Sequence, residues 1–391
     1  MPKLEPVTLV LILPLLGAAA AYALTTIRAH LWAGGVVGLS LLGGTAFSLV
    51  AAGEVSRLGP VLRVVGGWTP AVGIHLALDG AAVLLLITLF AVSLLVLLYA
   101  LGEGSYGALF YGTFAVAVAG MAGVILSADL FNLFVFFEVL SLSATILIAY
   151  KRQLTGLYAA FRYLLVTALS VVLYLLGLFL LYRESGELAL RAVFDAAGGF
   201  EGFQPGQGAP GPIPIAGVLL FTGVAIRAAL VPFHAWLPDA HSQAPHPVSA
   251  LLSGLMIKAA FLALWRMVTL FSGTDFLLNL LLIAGVLSAL LGVLLALVQR
   301  DAKRLLAFHS ISQMGYIAAA AGAGALTGAL YHAVGHALFK SLLFLVVGYY
   351  ISRRGSRDLY RMAAGEPVPP AGSATGGTAL LPPILLLSGA A

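Results

Sequence analysis

The sequence predicts an all-α integral membrane protein with about 11 to 12 transmembrane helices. Of its 391 residues, 61% are hydrophobic and only 9% are charged, whereas soluble proteins carry roughly 25% charged residues. Long apolar runs also recur along the whole chain. A chain so poor in charge cannot cover itself with a wetted surface, so we expect lipid to surround most of it.

The spans are predicted from apolar runs of roughly 20 residues, the length of a membrane-crossing helix. The runs are 7–27, 31–52, 74–101, 106–127, 130–150, 157–182, 213–233, 248–271, 275–298, 305–323 and 327–351. A further apolar stretch, 377–391, is short and is interrupted by two prolines. The run 7–27 has the look of a cleaved signal peptide, but its length favours a first retained span.

The connections between spans are mostly brief. Three longer ones, 53–73, 183–212 and 353–376, are rich in glycine, proline and charge. We therefore expect them to be irregular and to lie outside the bilayer core.

Composition also excludes several classes of function. The chain has no cysteine, which rules out disulfides, iron–sulfur clusters and thiol nucleophiles. No phosphate-binding loop, dinucleotide fingerprint or hydrolase motif is present, so no catalytic site and no cofactor are predicted. No basic cluster with interleaved aromatic residues indicates a nucleic-acid partner.

Lysine and arginine set the predicted orientation, because cytoplasmic loops are enriched in them. Counting alternately from the loop at Lys151 places the N-terminus outside and 353–376 inside. The cytoplasmic cations are then Arg28, Lys151, Arg152, Arg300, Lys303, Arg304, Arg353, Arg354, Arg357 and Arg361. The cations of the opposite side are Lys3, Arg57, Arg63, Arg183 and Arg191. The others fall inside spans: Arg162, Arg227, Lys258, Arg266 and Lys340.

The stretch 232–247 is unusual because it lies between two apolar runs yet contains four prolines, which a continuous helix does not tolerate. One interpretation is a proline-rich interfacial loop. The other is a helix broken inside the protein, as transporters use at ion sites. The nearby Arg227 favours the broken helix, since a buried cation needs polar backbone or a counter-charge. Of the histidines here, we expect only His234 to have access to the bundle, and not His241 or His246.

Glu138 and Lys258 lie near the middle of their spans. A carboxylate there costs ~2.5–3.5 kcal/mol even on the lenient insertion scale, so Glu138 should pair with a cation or bind a proton. Lys258 is too deep to reach the interface easily and can exchange a proton. Proton transfer is the favoured role for both. The alternatives are a fixed ion pair for Glu138, and for Lys258 a structural contact with Glu138 or with a carbonyl.

Other charged residues near or inside the spans have different predicted roles. Arg162 and Arg227 cannot release a proton, so each is predicted to hold Glu138 ionised or to set a local potential. Arg266, near the outer end of its span, is predicted to snorkel. Asp79 and Asp129 precede spans and are predicted to cap or anchor them.

A line of titratable residues is predicted on one helix face. His332, His336 and Lys340 follow at intervals of four, and each interval rotates by only ~40° around a helix. Histidine can pass a proton between its two ring nitrogens, so the pattern suits a proton wire, which His309 in the preceding span could extend. Structural hydrogen bonding is one alternative. A metal site is another, although no third ligand lies beside the two histidines.

Five motifs resemble those of the antiporter-like subunit family. They are 130–138 (LFNLFVFFE), 233–241 (FHAWLPDAH), 247–254 (PVSALLSG), 301–316 (DAKRLLAFHSISQMGY) and 332–340 (HAVGHALFK). The family includes the large Mrp antiporter subunits and the proton-pumping membrane subunits of complex I and of membrane-bound hydrogenases. The first motif and ISQMGY (311–316) look most like the Mrp D type, while WLPDAH (236–241) is shared with the other branches.

The resemblance implies three leading helices, 1–104, followed by two inverted five-helix repeats. The first repeat is 105–272, with its broken helix near 232–247, and the second, 273–391, is incomplete. It also implies a proton-translocating subunit of a multi-subunit Mrp-type antiporter in a prokaryotic plasma membrane, with other membrane subunits and lipid as partners. Protons, with sodium as a further candidate, are the implied ions. The alternatives are a proton-pumping subunit of an NADH:quinone oxidoreductase or hydrogenase complex, and a truncated non-transporting scaffold.

Two departures from the family pattern motivate the scaffold alternative. The resemblance implies a lysine where this chain has Arg227, and arginine cannot serve as a titrating switch. The second broken helix that the family carries is expected after about residue 360, where this sequence has a tail rich in glycine, alanine and proline. An unrelated transporter or channel fold is a third possibility, which the ordered motifs disfavour.

Overall fold

The structure is a computed structural model that describes residues 6–26, 32–66, 73–190, 212–271 and 275–363. In chain order the elements are α1 (Pro6–Thr26), α2 (Ala33–Leu58), β1 (Val61–Val65), β2 (Ile74–Leu78), α3 (Gly80–Glu103), α4 (Ala108–Leu126), α5 (Leu130–Ile148), α6 (Leu154–Ser185), α7 (Pro212–Arg227), α8 (Trp236–Gln243), α9 (His246–Leu270), α10 (Asp275–Leu297), α11 (Ala302–Gly322), α12 (Leu326–Arg354) and α13 (Leu359–Ala363).

The predicted all-α membrane fold is confirmed. Within the described residues, 9 helices are long and apolar enough to cross a membrane, namely α1 to α6, α9, α10 and α12. The other two predicted spans are also helical: α7 is shorter, with 16 residues, and α11 has 21 residues and carries several polar side chains. The apolar stretch 377–391 lies outside the described residues.

The prediction for residues 74–78 is wrong, because they begin no helix. They form β2, which pairs antiparallel with β1 from Val61↔Leu78 to Val65↔Ile74. The third span starts at Gly80, where Asp79 caps the helix by accepting a hydrogen bond from the Ala82 amide at 2.7 Å. The hairpin therefore occupies part of the connection that was expected to be irregular.

Helices α4 and α9 form the centre of the bundle. Their apolar windows are 89% and 94% buried, against 33–39% for α1, α2, α6, α10 and α12. The sequence of α4 is rich in alanine and glycine, and small residues let neighbouring helix backbones approach closely. Helix α9 packs against α3, α4, α11 and α12, so whatever it carries at its midpoint lies inside protein.

The chain between α7 and α8 is a break in a helix, as the prolines favoured. The backbone turns at Ala229, which adopts a positive φ of 56°, and the exposed polar groups find partners in the protein. The Val231 amide donates to Ser288 Oγ at 2.9 Å, and Trp236 Nε1 donates to the Ile226 carbonyl at 2.9 Å. Such internal partners are what allow non-helical backbone at membrane depth.

The prolines that follow the break do not interrupt α8 and α9, because they lie in first turns. Pro238 is the third residue of α8, and Pro247 is the second of α9. A first-turn residue has no intrahelical acceptor for its amide, so the missing N–H of proline is tolerated there.

The two ends of the bundle differ in their connections. At one end, which we call the basic end, Arg304 donates to Asp239 of α8, and Arg357 NH1 donates to the Ser242 carbonyl near the C-terminus of α8 at 2.5 Å. At the other, the hairpin end, Leu76 of β2 forms a bridge with Ser127. The placement of basic residues agrees in pattern with the predicted orientation, which stays a prediction.

Helices α10 and α11 pack with almost no space between their backbones. A Cβ atom at Gly292 would lie 2.5 Å from the Ser312 amide nitrogen. By contrast, a Cβ atom at Gly328 of α12 would meet nothing within 4 Å.

We therefore expect Gly292→Ala to destabilise the protein by about 1–3 kcal/mol, because the two helices must move apart. Gly328→Ala is the matched control and should be neutral or stabilising by up to about 1 kcal/mol, since alanine favours helix. Thermal denaturation of the detergent-solubilised protein measures both. Equal melting temperatures for the two variants would contradict the close approach of α10 and α11.

Candidate functional site

An ion pair joins the middle of α5 to the end of α7. Arg227 NH2 donates to Glu138 Oε1 at 2.8 Å, and the arginine side chain is 8% exposed against 34% for the glutamate. Helix α7 ends at Arg227 because the break begins there. The sequence predicted Glu138 to face a cation, and the structure brings these two residues together.

The guanidinium of Arg227 is held on every side. Its Nε donates to Ser170 Oγ at 2.8 Å, and its NH1 donates to the Phe137 carbonyl at 3.0 Å and to Ser141 Oγ. The group also lies over the Phe137 ring, 4.7 Å from the centroid. Since each of its three nitrogens donates a hydrogen bond, the cation is fixed between α5, α6 and α7.

A small cavity adjoins this pair. It is lined by Ser141, Tyr163, Arg227 and Met256, among others, and its volume of about 10 Å³ is roughly the room for one water molecule. Met256 belongs to α9, so the cavity links the ion pair to that central helix.

Of the two roles predicted for Arg162, a direct hold on Glu138 is not found among the described contacts, and the setting of a local potential stays a prediction. Arg162 instead pairs with Asp239 of α8, and Asp239 also accepts from Arg304 NH1 at 2.9 Å. Arg162 lies in the first turns of α6, near the basic end, whereas Glu138 is at mid-helix in α5. Arg162, Asp239 and Arg304 tie α6, α8 and α11 together.

Lys258 lies halfway along α9, just after a π-helical segment, Leu252–Met256. Its side chain is 2% exposed, and Nζ donates to the Ser253 carbonyl at 2.5 Å. A π segment interrupts regular helix bonding and is frequent at functional sites. The sequence suggested two structural contacts for Lys258, one with Glu138 and one with a carbonyl. The contact with a carbonyl is present. Among the hydrogen bonds of the described residues, none joins Lys258 to Glu138.

A serine pair carries the polar line from α9 to α11. Ser253 and Ser310 share a hydrogen bond at 2.7 Å between their hydroxyl oxygens. Ser253 lies two turns along α9, and Ser310 directly follows His309 on α11, so this contact places the two segments side by side. It is a connection that residue spacing alone did not predict.

The line predicted on α12 is present on one face. Lys340 Nζ lies 2.8 Å from His309 Nδ1, and His332 Nε2 lies 2.7 Å from Gln313 Oε1. The rings of His332 and His336 are near-parallel with centroids 6.4 Å apart. His336 is fully buried, and neither ring nitrogen has a hydrogen-bond partner among the residues that the structure describes. Both His336 and Lys340 are within electrostatic range of the Lys258 ammonium group.

The expectation for the histidines of the broken helix is wrong in part. His234 is only half-buried, whereas His241 is fully buried and His246 is 7% exposed. Lys303, assigned to the cytoplasmic surface, is 1% exposed. Its position before an apolar run looked interfacial, but its ammonium group turns inward and donates to the Ala244 carbonyl just after α8.

The predicted caps are confirmed at the hairpin end, and the prediction for Arg266 is not. Asp129 accepts from the Asn132 amide at 2.7 Å, and Asp79 caps α3. Arg266 does not snorkel outward. It donates to the Asp79 carboxylate at 3.0 Å and to the Ile125 carbonyl at 2.5 Å, because the carbonyls that end α4 face it.

These buried and partly buried groups therefore follow one another between the helices of a multi-pass membrane protein, and we call them the polar line. Its members are Glu138, Arg227, Lys258, Ser253, Ser310, His309, Lys340, His336 and His332. Among the described residues, no three His, Asp or Glu side chains gather as metal ligands. Acidic, basic and imidazole groups in sequence, buried between helices, are chemistry for moving protons or for responding to charge.

This class, a bundle with a broken helix and a line of buried ionisable groups, has known relatives. The profile of the family described as "NADH:quinone oxidoreductase/Mrp antiporter, TM" matches residues 127–371. The chain belongs to this family, which confirms the resemblance of its motifs.

Individual proteins and a solved structure are also similar to this chain. The NADH-quinone oxidoreductase subunit N of Desulforudis audaxviator is 35% identical over 87% of this chain and 69% of its own length. The D subunit of the Na(+)/H(+) antiporter of Alkalihalophilus pseudofirmus is 30% identical over 84% of this chain and 66% of its own length. A chain of the membrane-bound sulfane sulfur reductase, an archaeal respiratory membrane complex, superposes with a TM-score of 0.84 at 28% identity, covering 91% of this chain and 73% of that one. The chain thus spans about two thirds of the length of these two curated relatives.

The double variant of the ion pair should show coupling. Arg227→Gln leaves a carboxylate without its counter-charge and should cost about 3 kcal/mol of stability, the lower end for a buried pair because Glu138 is partly open. Combining it with Glu138→Gln should restore about 1–3 kcal/mol relative to the sum of the single variants. Denaturant titration in detergent measures the cycle. Strict additivity would show that the contact contributes nothing to stability.

Proposed function

We propose that this chain is a proton-translocating subunit of a multi-subunit Mrp-type monovalent cation/proton antiporter in the plasma membrane of a prokaryotic cell. The observation that carries the proposal is the Glu138–Arg227 pair at the start of a buried line of lysine and histidine side chains. Buried ionisable groups at this depth are costly, and such groups mark ion paths by default.

The geometry suggests how a proton would enter the line. When Glu138 takes up a proton, its attraction for Arg227 is lost, while Arg227 keeps its bonds to Ser170 and to the Phe137 carbonyl. The fixed positive charge then acts unopposed on the neighbouring cavity and on α9. A proton on Lys258 is thereby disfavoured and is driven toward the next groups, His309 and Lys340.

In this proposal Arg227 is an electrostatic lever and not a carrier, since guanidinium keeps its proton. A fixed charge is a role that arginine can fill at the position where the family pattern implies a lysine. The carriers are Glu138, Lys258, His309, His336 and Lys340, with His332 continuing the line to Gln313. We assign His234, half-buried beside the break, to access at the broken helix.

Partners are part of the proposal. The two relatives described above are named as subunits, and the superposed structure is a chain of a respiratory membrane complex. Other membrane subunits are therefore the expected partners, with protons and sodium as candidate ions. The division into leading helices and two inverted repeats is likewise proposed, with boundaries near 104 and 272.

A second candidate is a proton-pumping membrane subunit of an NADH:quinone oxidoreductase or a hydrogenase complex. The specific observation in its favour is the 35% identity to an NADH-quinone oxidoreductase subunit N, which exceeds the 30% to the antiporter relative. Both candidates use the same proton path. They differ in what drives it: a gradient of a second cation in one and electron transfer in partner subunits in the other.

The decisive test is proton uptake by vesicles that contain the assembled complex. Glu138→Gln and Lys258→Ala should each lower uptake at least about tenfold, which equals ~1.4 kcal/mol on the limiting barrier. Glu54→Gln is a control, because Glu54 pairs with Arg63 at the hairpin end and should leave uptake unchanged. Unchanged proton uptake in both test variants would contradict the proposed proton relay and favour a scaffold without transport.

Proton movement in response to a sodium gradient distinguishes the two candidate functions. An Mrp-type antiporter should move protons in vesicles when only a sodium gradient is imposed, and Glu138→Gln should abolish that movement. If protons move only when a quinone and a reductant are supplied, the second candidate is correct. Fluorescent pH indicators inside the vesicles record both conditions in the same preparation.

A further inference from the structure

A second group of buried titratable side chains lies at the basic end and has no part in the path described above. It consists of His241 on α8, His246 at the start of α9 and Lys303 at the start of α11, which we call the basic-end cluster. These side chains are 0%, 7% and 1% exposed. Lys303 Nζ donates to the Ala244 carbonyl at 2.6 Å, in the short connection between α8 and α9.

Three of the four imidazole nitrogens of the cluster are buried without a hydrogen-bond partner among the described residues. Both ring nitrogens of His241, and Nδ1 of His246, have no hydrogen-bond partner within the described part of the chain. Buried polar atoms are paired in the great majority of cases, and each exception asks for an explanation such as an ordered water or a functional role. The same lack of partners distinguishes His336 in the central line.

The cluster continues the face of α12 that holds the central line. The positions at intervals of four are His332, His336, Lys340, Phe344 and Gly348. Where α12 carries no titratable side chain, a histidine from another helix covers it. The His241 ring stacks on Phe344 with centroids 4.8 Å apart and planes 23° apart.

At Gly348, the second position of α12 without a titratable side chain, a histidine from another helix also fills the space. A Cβ atom at Gly348 would lie 2.5 Å from Cγ of His246, so the imidazole fits there because the residue is glycine. The eight residues from Lys340 to Gly348 advance about 12 Å along the helix. The titratable groups therefore extend from mid-membrane to the basic end.

Charge interactions connect the cluster to the central line. His241 lies within electrostatic range of Lys303 and also of Lys340 and Lys258. His246 is within range of Lys303, Lys151 and Arg357. Lys303 is also within electrostatic range of the carboxylates of Asp301 and Glu103. Arg357, which donates to the Ser242 carbonyl, covers the cluster from outside.

We propose that Lys303, His246 and His241 form the proton entrance from the basic end, and that protons pass from them to Lys340 and His336. Lys303 and His246 exchange protons with the aqueous side, and His241 carries them past Phe344. The inference rests on the proposed function, since it supplies the access route for the central line.

Two substitutions separate proton transfer from packing. His241→Phe keeps an aromatic ring against Phe344 and removes the ring nitrogens. Lys303→Arg keeps a cation that can donate to the Ala244 carbonyl but cannot release its proton. His75→Phe is the matched control, because His75 is 6% exposed with Nδ1 unpartnered within the described residues, and lies in β2 at the hairpin end.

The measurement is proton uptake per assembled complex in vesicles. We expect His241→Phe and Lys303→Arg to lower it at least about tenfold and His75→Phe to leave it within about twofold of the unsubstituted protein. If Glu138→Gln stops uptake while His241→Phe and Lys303→Arg do not, this inference is overturned and the proposed function stands. If the unsubstituted complex moves no protons, the proposed function itself fails.

Water access provides a second measurement that does not depend on transport. The chain has no cysteine, so an introduced cysteine is the only thiol that a reagent can modify in it. A small cationic thiol reagent added from the basic end should modify His246→Cys at least about tenfold faster than Ser93→Cys, a thiol at a 0% exposed site in α3. Equal reaction rates at the two positions would show that no route opens at the cluster.

Discussion

The cost of a charge inside the membrane determines the arrangement of this protein. A charged side chain at the bilayer centre costs ~2.5–3.5 kcal/mol even on the lenient scale, and Arg227 reduces that cost by collecting a carboxylate, a carbonyl and two hydroxyls. Those partners come from α5 and α6, which must therefore pack where α7 ends. The break after Arg227 can exist because the surrounding helices satisfy its backbone, and the line of titratable groups begins at this point.

The two sides of the line have different chemistry. On the α5–α7 side, acid and base are matched, so one proton taken up by Glu138 changes the local field. On the α9–α11–α12 side, the described ionisable groups of the line are all basic: Lys258, His309, His332, His336 and Lys340. They cannot all carry a proton at once at this depth without a large electrostatic cost. That imbalance makes the occupancy of each group depend on its neighbours, which is what a relay requires.

Helix α9 connects the two sides. Its π segment places Met256 against the cavity beside Arg227 and Ser253 against Ser310, and Lys258 follows within the next turn. The same region packs closely on α12, where Ser341 Oγ donates to the Ala250 carbonyl at 3.1 Å. A displacement of α9 would therefore change the acid–base pair and the imidazole line together.

The sequence by itself determined the membrane fold, the helical spans, the break and the shared face of His332, His336 and Lys340, because apolar length, proline and helical period are local properties. It also determined the caps at Asp79 and Asp129. Only the tertiary structure decided that Arg227, and not Arg162, contacts Glu138, that Lys303 is buried, and that residues 74–78 pair as a strand. These outcomes depend on partners far away in the chain: 89 residues separate Arg227 from Glu138, and 77 separate Arg162 from Asp239. No local pattern encodes which of two arginines will face a carboxylate once the helices have packed.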